Sequence, residues 1–171
     1  MKKFELTSEF VTFLGKKLFR IKALISFGNV EEGELGGYVE KEENLSNDGN
    51  AWVYGDAWVY GDAMVYGNAM VSGNAMVYGN AMVYGDAWVY GNAMVYGDAD
   101  YATVQGFGSE YRTTTFFRTK AGDIGVRCGC FYGTLEEFRA KVKETHGETK
   151  TAKEYLMVAD LMEFRFSKEE A

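Results

Sequence analysis

Between Ala51 and Ala99 the hydrophobic and polar positions recur with a period of six. Ala stands at 51, 57, 63, 69, 75, 81, 87, 93 and 99, and Val at 53, 59, 65, 71, 77, 83, 89 and 95. Trp or Met lies between them, Tyr follows Val except at Ser72, and Gly with Asp or Asn closes each unit. A helix is excluded, because a glycine in every unit would cost about 1 kcal/mol against alanine. Ala-x-Val-Tyr is a short strand with alternating sides. Gly-Asp and Gly-Asn supply corners, since these residues accept left-handed backbone angles at low cost. Strand and corner at this period are the pattern of a parallel β-helix, here a three-sided coil of 18 residues.

The alternation also predicts which side chains point inward. Six large side chains per coil do not fit inside an 18-residue triangle, so Ala and Val are placed inside. Trp, Met and Tyr then point outward, and residues 18 apart stack about 4.8 Å from one another. One face carries Trp52, Met70 and Trp88 beside Tyr54, Ser72 and Tyr90. A second carries Trp58, Met76 and Met94 beside Tyr60, Tyr78 and Tyr96. The third carries Met64 and Met82 beside Tyr66 and Tyr84. Monomers rarely leave apolar patches above a few hundred Å² in water, so at least some of these ladders are expected to be covered, by the chain's own C-terminal part, a second copy or a foreign protein. Trp, Tyr and Met are favoured at interface cores. The partner-binding candidates are therefore Trp52, Tyr54, Trp58, Tyr60, Met70, Met76, Tyr78, Trp88, Tyr90, Met94 and Tyr96. A homo-oligomer and a foreign protein partner are both expected, and the choice of face stays open.

The flanks divide the chain into three parts. Residues 1–34 read as an N-terminal β-hairpin cap, with strands at Glu9–Phe13 and Leu18–Leu24 around Leu14-Gly15-Lys16. Residues 35–102 hold the coils and their lead-in, where Gly36 and Gly37 mark a bend or a close approach. Residues 103–171 read as a ββαα unit with strands at Thr113–Phe117 and Gly125–Phe131. Two capping boxes, Thr134 to Glu137 and Thr151 to Glu154, open its helices. Tyr155, Val158, Ala159, Met162 and Phe166 form a helical stripe. The fold class expected is thus mainly β: a short three-sided parallel β-helix with a hairpin cap and a ββαα cap.

Charge sharpens the partner class. Residues 31–100 carry twelve acids and one base, Lys41. That band does not suit nucleic acid, whose affinity comes mostly from phosphate neutralisation. It suits a basic protein surface. The bases of the N-terminal part, Lys16, Lys17, Arg20 and Lys22, leave nucleic-acid binding as an alternative. No apolar run is long enough for a membrane span. The start, MKKFELTSEF, lacks the apolar stretch of a signal peptide, and the chain is expected to be cytoplasmic.

Catalytic constellations are sparse. His146 is the single histidine and lies outside the repeat. Cys128 and Cys130, on one face of a strand, are weak metal candidates with His146 as a third ligand. No phosphate loop, dinucleotide fingerprint or nucleophile elbow is present. No cofactor is expected, and the outward ladders are not the threonine ladders of ice-binding solenoids.

The V-x-G-[DN]-A-x wording of residues 51–99 resembles the hexapeptide-repeat left-handed β-helix proteins. Left-handed winding is what that resemblance implies. Two further pieces, GELGGYVEKEENLSNDGNAWVYG and CGCFYGTLEEFRAKVKETHG, resemble phage- and prophage-encoded proteins of this type. The hexapeptide acyltransferases and carbonic anhydrases use histidines that this repeat lacks. The expectation is a non-enzymatic, protein-binding β-solenoid of viral setting. Its most concrete form is an inhibitor of a bacterial defence protein, such as a CRISPR nuclease. A virion or assembly component that self-associates through its faces is the alternative.

Overall fold

The computed structural model describes residues 1–168. The chain opens with a hairpin of β1 (Phe4–Phe13) and β2 (Lys16–Ala23), joined at Leu14-Gly15. β3 (Leu35–Val39) pairs antiparallel with β2 and leads into eight two-residue strands. These are β4 (Trp52–Val53), β5 (Trp58–Val59), β6 (Met64–Val65), β7 (Met70–Val71), β8 (Met76–Val77), β9 (Met82–Val83), β10 (Trp88–Val89) and β11 (Met94–Val95). They pair in parallel with strict register: Trp52 beside Met70 beside Trp88, Trp58 beside Met76 beside Met94, and Met64 beside Met82. The result is a three-sided β-solenoid of about three turns with the faces the period predicts.

Every Ala from 51 to 93 and every Val from 53 to 95 is buried, forming one continuous core. The corner glycines from Gly55 to Gly91 have φ between 59° and 72°, the left-handed region that glycine enters without steric cost. Gly36 and Gly37 are needed for a different reason. A Cβ on Gly36 would lie 2.6 Å from the Val53 carbonyl oxygen, and one on Gly37 2.5 Å from that of Ala57. The close approach expected at this GlyGly pair is real, but it falls inside a strand, β3, that seats directly on the first coil.

The lower end of the solenoid shows how a repeat is stopped. Within the stack, Asn50 N–H donates to Gly67 O and Trp52 N–H to Ala69 O, each one coil later. The equivalent carbonyls one coil earlier, on Gly49 and Ala51, have no coil beneath them. The Lys3 ammonium donates to both, at 3.4 and 2.8 Å. At the next corner Tyr38 N–H of β3 donates to Ala57 O. At the third, the buried Asn44 side-chain amide donates to Gly61 O at 3.1 Å and Ala63 O at 2.8 Å. Two side chains and one strand thus replace the missing coil, so buried carbonyls are not left unpaired.

The upper end is closed by the C-terminal part. It contains β12 (Tyr101–Val104), β13 (Thr114–Arg118), β14 (Ile124–Cys128), β15 (Phe131–Thr134), α1 (Leu135–His146) and α2 (Lys150–Phe166). The strands form a four-stranded antiparallel sheet in sequence order, so this cap has two more strands than the ββαα reading. Successive side chains of β13 serve two cores: Phe117 enters the solenoid core and Phe116 the core under the helices. Thr115 Oγ1 accepts from Trp88 N–H, Asp98 from Met82 N–H, and the Tyr101 hydroxyl donates to Met82 O at 2.6 Å. Thr134 caps α1 with Glu137, as its box predicts. α2 is instead capped by Thr149, whose hydroxyl accepts from Ala152 N–H.

Burial lowers the Lys3 ammonium to about 8, against the pull of Asp48. The unfolded chain keeps its proton to higher pH, so folded stability rises as pH climbs from about 8 towards 10.5. Urea titrations across this window should show that rise in the wild type and lose it in Lys3→Met. A profile that is flat in both would refute the lowering of the Lys3 ammonium by burial.

Candidate interaction surface

The three ladders leave the coil in the same way and meet different fates. On the first face Trp52 is completely buried, with Phe27 at 5.4 Å and Phe4 at 6.4 Å between ring centroids. At its other end the Arg127 guanidinium lies 3.9 Å over the Trp88 ring, and Tyr132 packs on Tyr90 at 4.7 Å. Trp88 Nε1 donates to Ser72 Oγ at 2.7 Å. That bond gives the single break in the Tyr column a purpose: a tyrosine there would lack the short hydroxyl that the indole uses. Tyr54, Met70, Trp88 and Tyr90 are half-buried.

The second face is covered over its lower part by the hairpin. Phe13 lies 5.1 Å from Trp58 and 5.8 Å from Tyr60, and Leu18 with Tyr38 completes the cluster. Tyr60 is buried, while Met76, Tyr78 and Met94 are half-buried. Only Tyr96 of this ladder is open, at 60% exposure. Trp52 and Tyr60 are therefore corrected from interface candidates to core residues. They do point away from the coil, as the alternation requires, but the chain's own flanks seal them.

The third face is the open one. Met64, Met82 and Tyr84 are exposed, and Tyr66 stacks on Tyr84 at 5.3 Å with the rings 15° apart. Tyr84, at the upper end of this ladder, borders a cleft shared with Tyr101 and Thr103 of β12 and Arg165 of α2, while Met64 and Met82 keep 37% and 40% exposure. Asp62 and Asp98 line one bordering corner and Asp86 the other. Lys41 pairs with Asp62 at 3.1 Å. These four ladder residues were absent from the sequence-based candidates, although the period had placed them correctly on a shared face. The missing signal was coverage: no residue within the repeat says which face the flanks will take.

The other sequence candidates are placed as follows. Lys16 pairs with Glu40 at 2.7 Å, and Arg20 is held between Tyr38, Glu9 and Asp56. Lys17 lies over the Phe10 ring, and Lys22 sits across the ladder from Glu5. The four bases are thus engaged separately and do not form one cationic strip. Cys128 and Cys130 do not share a strand face. Cys128 ends β14 and pairs with Phe131, so Gly129-Cys130 is a two-residue hairpin turn with glycine at the position of positive φ. Among the described residues no three His, Cys, Asp or Glu side chains are grouped closely enough to hold a metal, although Cys128, Cys130 and His146 line one cleft. No helix of the described residues is long and apolar enough to cross a membrane.

Comparison with known families agrees with the coil geometry. A family model, the YdcK β-solenoid repeat, matches residues 57–73, 63–79, 69–85, 75–91 and 87–99. The solenoid is similar to that repeat. The first four matches start six residues apart, which is the strand-and-corner step of the coil. No curated protein matches the chain.

The burial pattern predicts opposite outcomes on two faces. Trp52→Ala should cost about 3–5 kcal/mol, the range for emptying a buried large aromatic site. Met82→Ala and Tyr84→Ala should each change stability by less than about 0.5–1 kcal/mol. Urea unfolding of the isolated protein measures both; similar losses at Trp52 and Tyr84 would contradict the assignment.

Proposed function

We propose that this chain is a non-enzymatic, protein-binding β-solenoid that presents its third face to a basic protein surface. The observation that carries the reading is the uncovered ladder of Met64, Tyr66, Met82 and Tyr84, set between acidic corners. Met side chains adapt to an irregular partner, and tyrosine combines a large apolar ring with a hydroxyl. Two ladders are largely sealed by flanking phenylalanines, tyrosines and an arginine, so the chain has the means to bury such residues. Leaving the third unsealed fits a surface kept for another molecule.

Its most concrete form is a phage- or prophage-encoded inhibitor of a bacterial defence nuclease. The wording shared with phage hexapeptide-repeat proteins supports the setting. The acidic corners support the target class, because a nuclease holds its nucleic acid in a basic channel. Rim acids such as Asp62, Asp86 and Asp98 would speed encounter and make it salt-dependent, while the Met and Tyr ladder would set the dissociation rate.

Affinity capture of purified defence nucleases on the tagged chain tests this. Wild type should retain a nuclease and reduce its DNA cleavage. Met82→Ala/Tyr84→Ala should lose at least about tenfold in affinity with an unchanged fold, as for interface hot spots. Equal retention by wild type and double variant would sink the third face as the binding surface. Light scattering of the isolated chain addresses self-association. A closed oligomer that hides Tyr84 without any partner would favour an assembly component instead.

A further inference from the structure

The C-terminal part contains a cavity that the solenoid surface does not explain. It measures about 260 Å³ and lies between the β14–β15 hairpin tip, the segment before β13, and the two helices. Its walls are aromatic and aliphatic. Phe131 stands 5.6 Å from Phe138, and Phe138 meets Tyr155 edge-on at 5.7 Å. Val142 of α1 completes the apolar side. These rings belong to the cap's own core, so the cavity is a cleft left in a packed unit and not a loose surface dent.

Polar groups reach it from two elements: Arg112 and a single carboxylate, Glu110, from the segment before β13, and Lys141 and His146 from α1. Arg112 and Glu110 are 3.7 Å apart, too far for a hydrogen bond. Lys141 is held at its outer side by Glu144, at 3.0 Å. The segment bearing Glu110 and Arg112 is fixed by costly local structure. Tyr111 has φ +50, and Gly108 presses so closely on the Tyr155 ring that any Cβ would collide with it. Burial keeps the Tyr155 hydroxyl neutral to higher pH than usual. Non-glycine residues in the left-handed region cost energy and concentrate at ligand clamps and active sites.

The geometry points to a binding site for a small aromatic monocarboxylate, its ring packed against the wall formed by Phe131, Phe138 and Tyr155 and its carboxylate on Arg112. An apolar cavity of about 150 Å³ accepts benzene, so this one has room for a single ring and a short acidic arm. The forked guanidinium matches a carboxylate bidentately, and Lys141 adds a second positive charge. The site is separate from the third face, and its occupancy does not depend on the partner proposed above.

Amide NMR of the full chain titrated with phenylacetate, benzyl alcohol and phenethylamine tests this. The three probes share a ring and differ in charge. Phenylacetate should give saturable shifts at Arg112, Cys130, Lys141 and His146, and bind about tenfold or more tighter than either other probe. Arg112→Gln should remove that preference. Val142→Trp should fill the cavity and abolish binding of all three, with the amides of β12 and β13 unmoved as the check on the cap's folding. Equal affinities, a preference for phenethylamine, shifts elsewhere, or no saturable binding would each overturn the assignment.

Discussion

The width of the coil governs this molecule. Inside the repeat, a triangle of short strands is filled by Ala and Val, with larger residues such as Phe117 entering from the flanking segments. Every Trp, Met and Tyr of the repeat is therefore driven outward, regardless of what water thinks of it. At roughly 25 cal/mol per Å² of apolar surface, leaving three such ladders in solvent would weigh heavily against a coil this short. The flanks answer that cost. Phe4, Phe13 and Phe27 come from the N-terminal side, and Arg127 and Tyr132 from the C-terminal side. Each covers one end of a ladder.

The same flanks solve the second problem of a short solenoid, its open ends. A stack of parallel strands leaves a row of unpaired carbonyls below and unpaired amides above. Lys3 and Asn44 supply donors at the bottom; Thr115 and Asp98 supply acceptors at the top. Cap and cover are thus one construction, since Lys3 sits beside Phe4 and Thr115 two residues from Phe117. The caps reach around two faces. The third receives only its end groups, and that asymmetry is what gives the surface a direction.

The coil was legible in the sequence because its letters repeat. Period six gives strand and corner, alternation gives inside and outside, and spacing of 18 gives the faces. The α1 cap was legible too, because Thr134 and Glu137 form a reciprocal pair with its own signature. What was not legible rests on single, unrepeated side chains. Nothing in residues 1–30 announces that Phe27 will seal Trp52, or that Lys3 will stand in for two amides. β3 hid behind its paired glycines, which usually weaken a strand and here permit contact with the first coil. β15 hid behind Gly129, where a tight turn looked like one continuous strand. The α2 cap was misplaced because Thr151 has a glutamate three residues on, whereas the true cap, Thr149, has Ala152. The interface candidates went astray for the same reason as the caps: pattern fixes orientation, and coverage is decided by distant residues.

Methionine oxidation tests the central claim, that the Met column of the third face is the one left open along the solenoid. Five methionines sit at equivalent positions of the repeat, one on the first face and two on each of the others. Dilute peroxide with mass-spectrometric mapping reads each one separately. Met64 and Met82 should oxidise well ahead of Met70, Met76 and Met94 in the isolated chain. Five equal rates, or protection of Met64 and Met82 at high dilution, would contradict this account.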